Sequence, residues 1–185
     1  YNWSDYIAED TIANFEAETG ISVTYDVYDS NEVLEAKMMA GSSGYDLVVP
    51  TGDFLARGRE AGVYADIDVS RLSNNGNQDS QVQGLADAQI DARNAGVVYM
   101  WGTTGVAYNV DMVRERLGDN APTDSWDLIL DPANAAKLAD CGIAILDAPT
   151  DVLPNVIAYQ GGAGDTTDPK LFEKAGEVLN AVRPH

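Results

Sequence analysis

Residues 21–50 read ISVTYDVYDSNEVLEAKMMAGSSGYDLVVP. Ile21 to Tyr28 alternates apolar and polar side chains, the period of a half-buried strand. Asp29-Ser30-Asn31-Glu32 has the form of a helix entrance, with Glu32 three places after Asp29 as in a capping box. The helix carries Val33, Leu34, Ala36, Met38 and Met39 and stops at Gly41. Tyr45 to Pro50 is a β-rich run short enough to be a buried parallel strand. Strand, helix and strand in so short a span predict an α/β layer structure with a mainly parallel sheet.

The same alternation extends on both sides. Upstream, Ala8 to Thr19 places Ala8, Ile12 and Phe15 on one helical face, with Gly20 as the stop. Downstream, Thr51 to Ala61 reads as a helix ending at Gly62. Residues 74–94 are polar and irregular, a surface excursion with one helix. Val97–Trp101 and Gly105–Asn109 are β-type runs. Helical patterns return at Asp111–Leu117, Ser125–Leu130 and Pro132–Leu138, then a strand at Ile143–Leu146. A strand-to-helix junction at 147–151 leads into a helix from Val152 to Gln160, and a last helix spans Lys170 to Val182. There are no internal repeats.

Composition narrows the function. The 185 residues suit one large domain or two small ones, and 45% hydrophobic content suffices for a core. Thirty acids against eleven bases give a net charge of −19. Nucleic acid and anionic membrane are poor partners for such a surface. The field either steers cationic ligands inward or serves solubility in a salty habitat. With one cysteine, Cys141, and one histidine, His185, neither a His/Cys metal site nor a His-dependent nucleophile is expected. No cofactor is expected. No apolar run is long enough to span a bilayer, and no basic-plus-apolar signal segment is present, which predicts a cytosolic or already processed chain.

In parallel α/β sheets ligands bind beyond the carboxyl ends of the strands. Thr51, Gly52 and Asp53 follow Val49-Pro50 onto that rim. Tyr1-Asn2-Trp3, read as a first strand, brings Trp3, Ser4, Asp5 and Tyr6 to the same edge. This set suits a cation made of methylenes with an amine at each end. Rings cover the methylenes and attract the ammonium, and a carboxylate holds the amine, since an unpaired buried ammonium is prohibitively costly. The structural alternative puts Trp3 in the core with Ser4 or Asp5 as a helix cap.

Five segments, taken together, turn the balance toward the ligand-binding reading. YNWSDYIAEDTIANFEAETGI, YDVYDSNEVLEAKMMAGSSGYDLVVP, YMWGTTGVAYNVDMV, APTDSWDLILDPANAAKLADCGIAILDAP and the linking AGVYADID together resemble the periplasmic polyamine-binding proteins of ABC importers, above all the putrescine-binding branch. The likeness runs from Tyr1 to about Tyr159 and weakens at 70–96 and beyond 160. It implies a type II periplasmic-binding fold of two α/β lobes with the ligand enclosed between them. It also implies that Trp3 packs on the methylenes, Asp5 takes an ammonium, and Ser4 and Tyr6 line the pocket. Thr51 stands where the family usually has Ser. Asp151 replaces a Glu and is one methylene shorter. Asp53 and Phe54 lie on a segment that tunes selectivity, and the acid at 53 either recruits an extra amine or caps the helix. Asp147 is a supporting candidate close to the rim.

Family members are close to twice this length. The resemblance therefore implies a first lobe over 1–105 and a crossover with an incomplete second lobe over 106–185, an N-terminal half that by itself binds putrescine weakly or not at all. Cys141 matches a cysteine that pairs with one further along in close relatives. The expected function is extracytoplasmic capture of a polyamine for an ABC permease by a monomer in the periplasm, signal peptide removed, without enzymatic chemistry. The alternatives are a sensor for spermidine, agmatine or cadaverine, and, more remotely, a carboxylate-based glycoside hydrolase using Asp5, Asp53, Asp147 and Asp151.

Overall fold

Asn2–Trp3 (β1) pairs in parallel with Val27–Tyr28 (β2), Asn2 opposite Val27 and Trp3 opposite Tyr28. The ladder is closed by Asn2 N–H to Asp26 O at 3.0 Å and Ser4 N–H to Tyr28 O at 3.2 Å. A helix, Thr11–Thr19 (α1), connects the two strands, as a parallel pair requires. It ends at Gly20, whose φ of 72° is the left-handed cap that glycine adopts without penalty. The computed structural model describes residues 1–90 and 96–185. The last part of the 74–94 excursion, from 91 onward, lies outside the described residues. The chain divides into two units, Tyr1–Trp101 and Gly102–His185.

In the first unit, Asn31–Met39 (α2) is capped by Ser30, not Asp29. Ser30 has the extended backbone of an N-cap, and its Oγ accepts from Val33 N at 3.2 Å, so the helix opens one residue later than the capping-box reading placed it. Leu34 and Met38, one turn apart, are buried against Tyr28, with Trp3, Tyr45, Val48, Val63 and Tyr64 packed around them. Gly52–Glu60 (α3) buries Phe54 and Gly58, again one turn apart. Ser80–Ile90 (α4) begins after Asp79, whose Oδ1 accepts from Gln81 N and Val82 N at 2.9 and 3.1 Å.

The strand expectations hold only in part. Among the described residues the sheet is β1 and β2 alone, and 21–26, 45–50, 97–101, 105–109 and 143–146 carry no strand. A strand exists only where a neighbour completes its ladder. Val23 N–H goes instead to the Glu16 carboxylate at 2.6 Å. Beside β1, the 45–50 run receives the Tyr1 amino group on Leu47 O at 2.9 Å, but Val49 O accepts side-chain donors.

The second unit is helical: Val110–Leu117 (α5), Asp127–Leu130 (α6), Pro132–Leu138 (α7), Pro149–Tyr159 (α8) and Pro169–Val182 (α9). Proline opens three of them, where its fixed φ and missing N–H are harmless. This is why α8 starts at Pro149 and not at Val152, with Asp151 in its first turn. Leu130, Ala135, Val156, Ile157, Ala175 and Val182 form one core, and Val113, Leu128 and Leu138 a second. No helix among the described residues is long and apolar enough to cross a membrane.

Tyr159 gives this unit a pH limit. Its hydroxyl donates to Asp127 Oδ1 at 2.7 Å, and that bond, helped by burial, pushes the phenol up to about 12 from 10.0. A group whose folded value is raised stabilises fully below its unfolded value, here 10.0, and loses that contribution as pH rises through about 12. Thermal melts from pH 9 upward should therefore show a steep fall above pH 10 that is shallower in Tyr159→Phe. Identical slopes would dismiss the Asp127 bond as its cause.

Candidate functional site

The rim of the first unit is built from the turn after β1, the end of the 45–50 run and the head of α3. Trp3 leaves β1 half-buried, and its indole Nε1–H donates to Val49 O at 2.9 Å. The Tyr28 hydroxyl donates to the same oxygen. Burial raises the Tyr28 phenol far above its ordinary value, so it remains a donor. The rings of Trp3 and Tyr28 meet at 4.8 Å and 53°, a tilted arrangement favoured by ring quadrupoles. Tyr6 extends the wall, its centroid 6.0 Å from that of Trp3.

Between the two outer rings the chain turns sharply. Ser4 is still tied to β2 through its N–H. Asp5 has φ 62°, the left-handed region, which Asp tolerates better than most side chains. The turn exposes Ser4 and Asp5. The Tyr99 hydroxyl donates to Tyr6 O and ties the far side of this turn down.

Thr51 follows Val49-Pro50 and is the N-cap of α3, but its hydroxyl does not cap the helix. It donates to Asp53 Oδ1 at 2.8 Å, while Thr51 N–H donates to Asn31 Oδ1 at 3.1 Å. Asp53 lies in the first turn of α3, where the helix dipole favours a carboxylate. Phe54 is buried at 3% exposure, with the Arg57 guanidinium 4.1 Å from its centroid and Arg57 paired to Glu35 at 3.0 Å.

The structure thus brings Trp3, Ser4, Asp5 and Tyr6 into one turn and joins them through Val49 to Thr51 and Asp53. Asp147 and Asp151 belong to the second unit. Asp147 is exposed just before α8. Asp151 lies in the first turn of α8, and its backbone carbonyl accepts from Asn155 Nδ2 at 2.7 Å. Four participants escaped the sequence reading as site residues: Tyr28, Asn31, Val49 and Tyr99. Only a long-range hydrogen bond or ring contact reveals each of them.

The first unit also holds a cation of its own. Tyr1 and Tyr45 stack at 4.4 Å, and Lys37 Nζ lies 4.7 and 5.0 Å from their centroids. Lys37 donates to the Tyr45 hydroxyl at 3.0 Å, which donates to Asp26 Oδ2 at 2.7 Å. Among the described residues no Lys or Arg lies over Trp3 or Tyr6. In the second unit, a groove of about 290 Å³ is walled mainly by Ile129, Ile143, Ile145, Leu179 and Val182, with the cationic Arg183 among its lining residues, and does not suit a diamine. The described residues contain no cluster able to hold a metal ion. Cys141 is a free thiol, 3.7 Å from Asp140 Oδ1.

Comparison with known proteins gives these features a setting. The chain is 50% identical over 185 residues to the putrescine-binding periplasmic protein SpuD of Pseudomonas aeruginosa (strain UCBPP-PA14), covering 100% of this chain and 50% of that protein. It is 51% identical over 186 residues to the putrescine-binding periplasmic protein PotF of Escherichia coli (strain K12), again 100% of this chain and 50% of that one. Among solved structures, the spermidine/putrescine ABC transporter substrate-binding protein PotD of Streptococcus pneumoniae superposes with a TM-score of 0.72 at 28% identity, over 100% of this chain and 53% of that one. The chain spans about half the length of the relatives it matches, and over that half its fold is the α/β type II periplasmic-binding fold. Residues 10–182 match the profile of the bacterial extracellular solute-binding proteins, and the chain belongs to that family.

Proposed function

We propose that this chain carries polyamine-binding residues of an extracytoplasmic solute-binding protein, with putrescine as ligand and an ABC permease as recipient. The observation that carries the reading is the Trp3–Tyr6 ring pair, backed by Tyr28, with the exposed Asp5 carboxylate on the turn between the two rings. Flat rings suit methylenes because few rotors freeze on contact, and a carboxylate beside them suits an ammonium. Ser4 and Thr51 add hydroxyl acceptors. Asp53 is a second acid at the rim, followed by the buried Phe54, and Asp151 takes an ammonium while Asp147 supports it. Relatives at 50% identity or above are named as putrescine-binding periplasmic proteins, which favours a periplasmic setting and a binding role; we take the protein to be a monomer that does no chemistry. Ligand contacts select the bound conformation, and no bond is made or broken.

Calorimetric titration of putrescine into the full-length protein tests the reading. Micromolar one-to-one binding, about 8 kcal/mol, is expected. Trp3→Leu should weaken it about 10- to 100-fold by removing the ring face. The absence of any heat with putrescine, cadaverine, agmatine and spermidine would refute it, as would turnover of any of them.

A further inference from the structure

Asn2 and Asn31 are the buried polar side chains among the described residues, at 5% and 4% exposure. Both turn the amide oxygen onto the backbone N–H of a rim residue: Asn2 onto Trp3 at 2.8 Å, Asn31 onto Thr51 at 3.1 Å. The first bond joins neighbours in the chain. The second joins residues 20 apart and ties the head of α2 to the head of α3. Pro50 has no N–H, and Val49 O is held by Trp3 and Tyr28, so Asn31 supplies the tie on the Thr51 side of this bend. A buried amide oxygen is costly to leave without a donor, and the Thr51 N–H satisfies it. The Thr51 hydroxyl and its partner Asp53 both hang from the backbone that Asn31 grips.

We propose that Asn31 is a positioning residue for ligand binding that acts through Thr51. Its amide oxygen fixes the Thr51 backbone, so the hydroxyl and the Asp53 carboxylate face the ligand without being ordered at the moment of binding. The proposal rests on the polyamine-binding reading above.

The test uses the full-length protein. Amide exchange of Thr51, followed by NMR, should be protected in the parent and at least about tenfold faster in Asn31→Leu, with Asn2 and Ser4 amides unchanged. Putrescine affinity should fall about tenfold in Asn31→Leu and about tenfold in Thr51→Val, with the double variant no weaker than about tenfold, since residues acting through one contact are not additive. Asn31→Asp retains an acceptor oxygen and should restore Thr51 protection. An unprotected Thr51 amide in the parent overturns the proposal, and this measurement needs no variant to fold. Parent-like binding by Asn31→Leu, or losses that multiply in the double variant, also overturn it while leaving the polyamine reading intact. A parent that binds no polyamine removes that reading and the proposal together.

Discussion

Asp5→Asn in the full-length protein should lower putrescine affinity about 30- to 3,000-fold while leaving stability near the parent's. Truncating one partner of a desolvated charge pair costs about 2–5 kcal/mol, most of it from leaving the other charge unpaired. Two properties meet at this residue, the carboxylate and the backbone φ of 62°. Asn keeps the backbone tolerance and removes the charge, so it isolates the second property. Asp5→Ala removes both, and the left-handed backbone then adds about 1–2 kcal/mol of destabilisation. Asp5→Gly relieves the backbone but has no carboxylate. Affinity should rank the parent far above Asn, Gly and Ala, and denaturation should single out Ala alone. Asp5→Asn binding as tightly as the parent would strip Asp5 of its role.

Gly58→Ala should destabilise the first unit by up to about 2 kcal/mol, against the usual direction of that change in a helix. Ala is favoured over Gly in a helix interior by about 1 kcal/mol. Here an added Cβ would lie 2.2 Å from Tyr64 Cε2, 2.7 Å from Cδ2 and 3.0 Å from Cζ. These are rigid ring atoms of a tyrosine packed on the Tyr28–Leu34–Met38 cluster, and Val63 N–H is bonded to Gly58 O at 2.8 Å, which holds the return of the chain close. Overpacking of this kind costs about 1–3 kcal/mol and outweighs the propensity gain. Urea denaturation should show a lower midpoint for Ala and a lower one still for Leu. A higher midpoint for Ala would mean that the Tyr64 ring swings aside freely.

Helix positions were legible in the sequence because helical signals are local. Gly20, Pro132 and the 3.6-residue spacing of Leu34 and Met38 each act within a turn. The α2 cap was read one residue early because Asp29 and Ser30 are both good caps, and only the backbone decides between them. Strands were less legible. The alternation in 21–28 is genuine, but whether a residue joins a ladder depends on a neighbour far away in sequence. Trp3 to Tyr6 follow the end of β1, as the strand reading places them, whereas Thr51 to Asp53 follow a run that carries no strand and is held beside β1 through Leu47 O and Val49 O. Tyr28, Asn31 and Tyr99 were missed because their roles rest on bonds spanning 21, 20 and 93 residues. Asn31 in particular reads as ordinary polarity at a helix start.

The Val49 carbonyl that receives both Trp3 and Tyr28 has a consequence for the drift of this protein through sequence space. Every amino acid supplies the same main-chain oxygen, so position 49 can change its side chain and still anchor both donors, provided the segment stays extended. The anchor is heritable without being encoded by any residue type at that site. An ester substitution of the backbone at this position, which weakens the carbonyl as an acceptor, would expose what no codon change can.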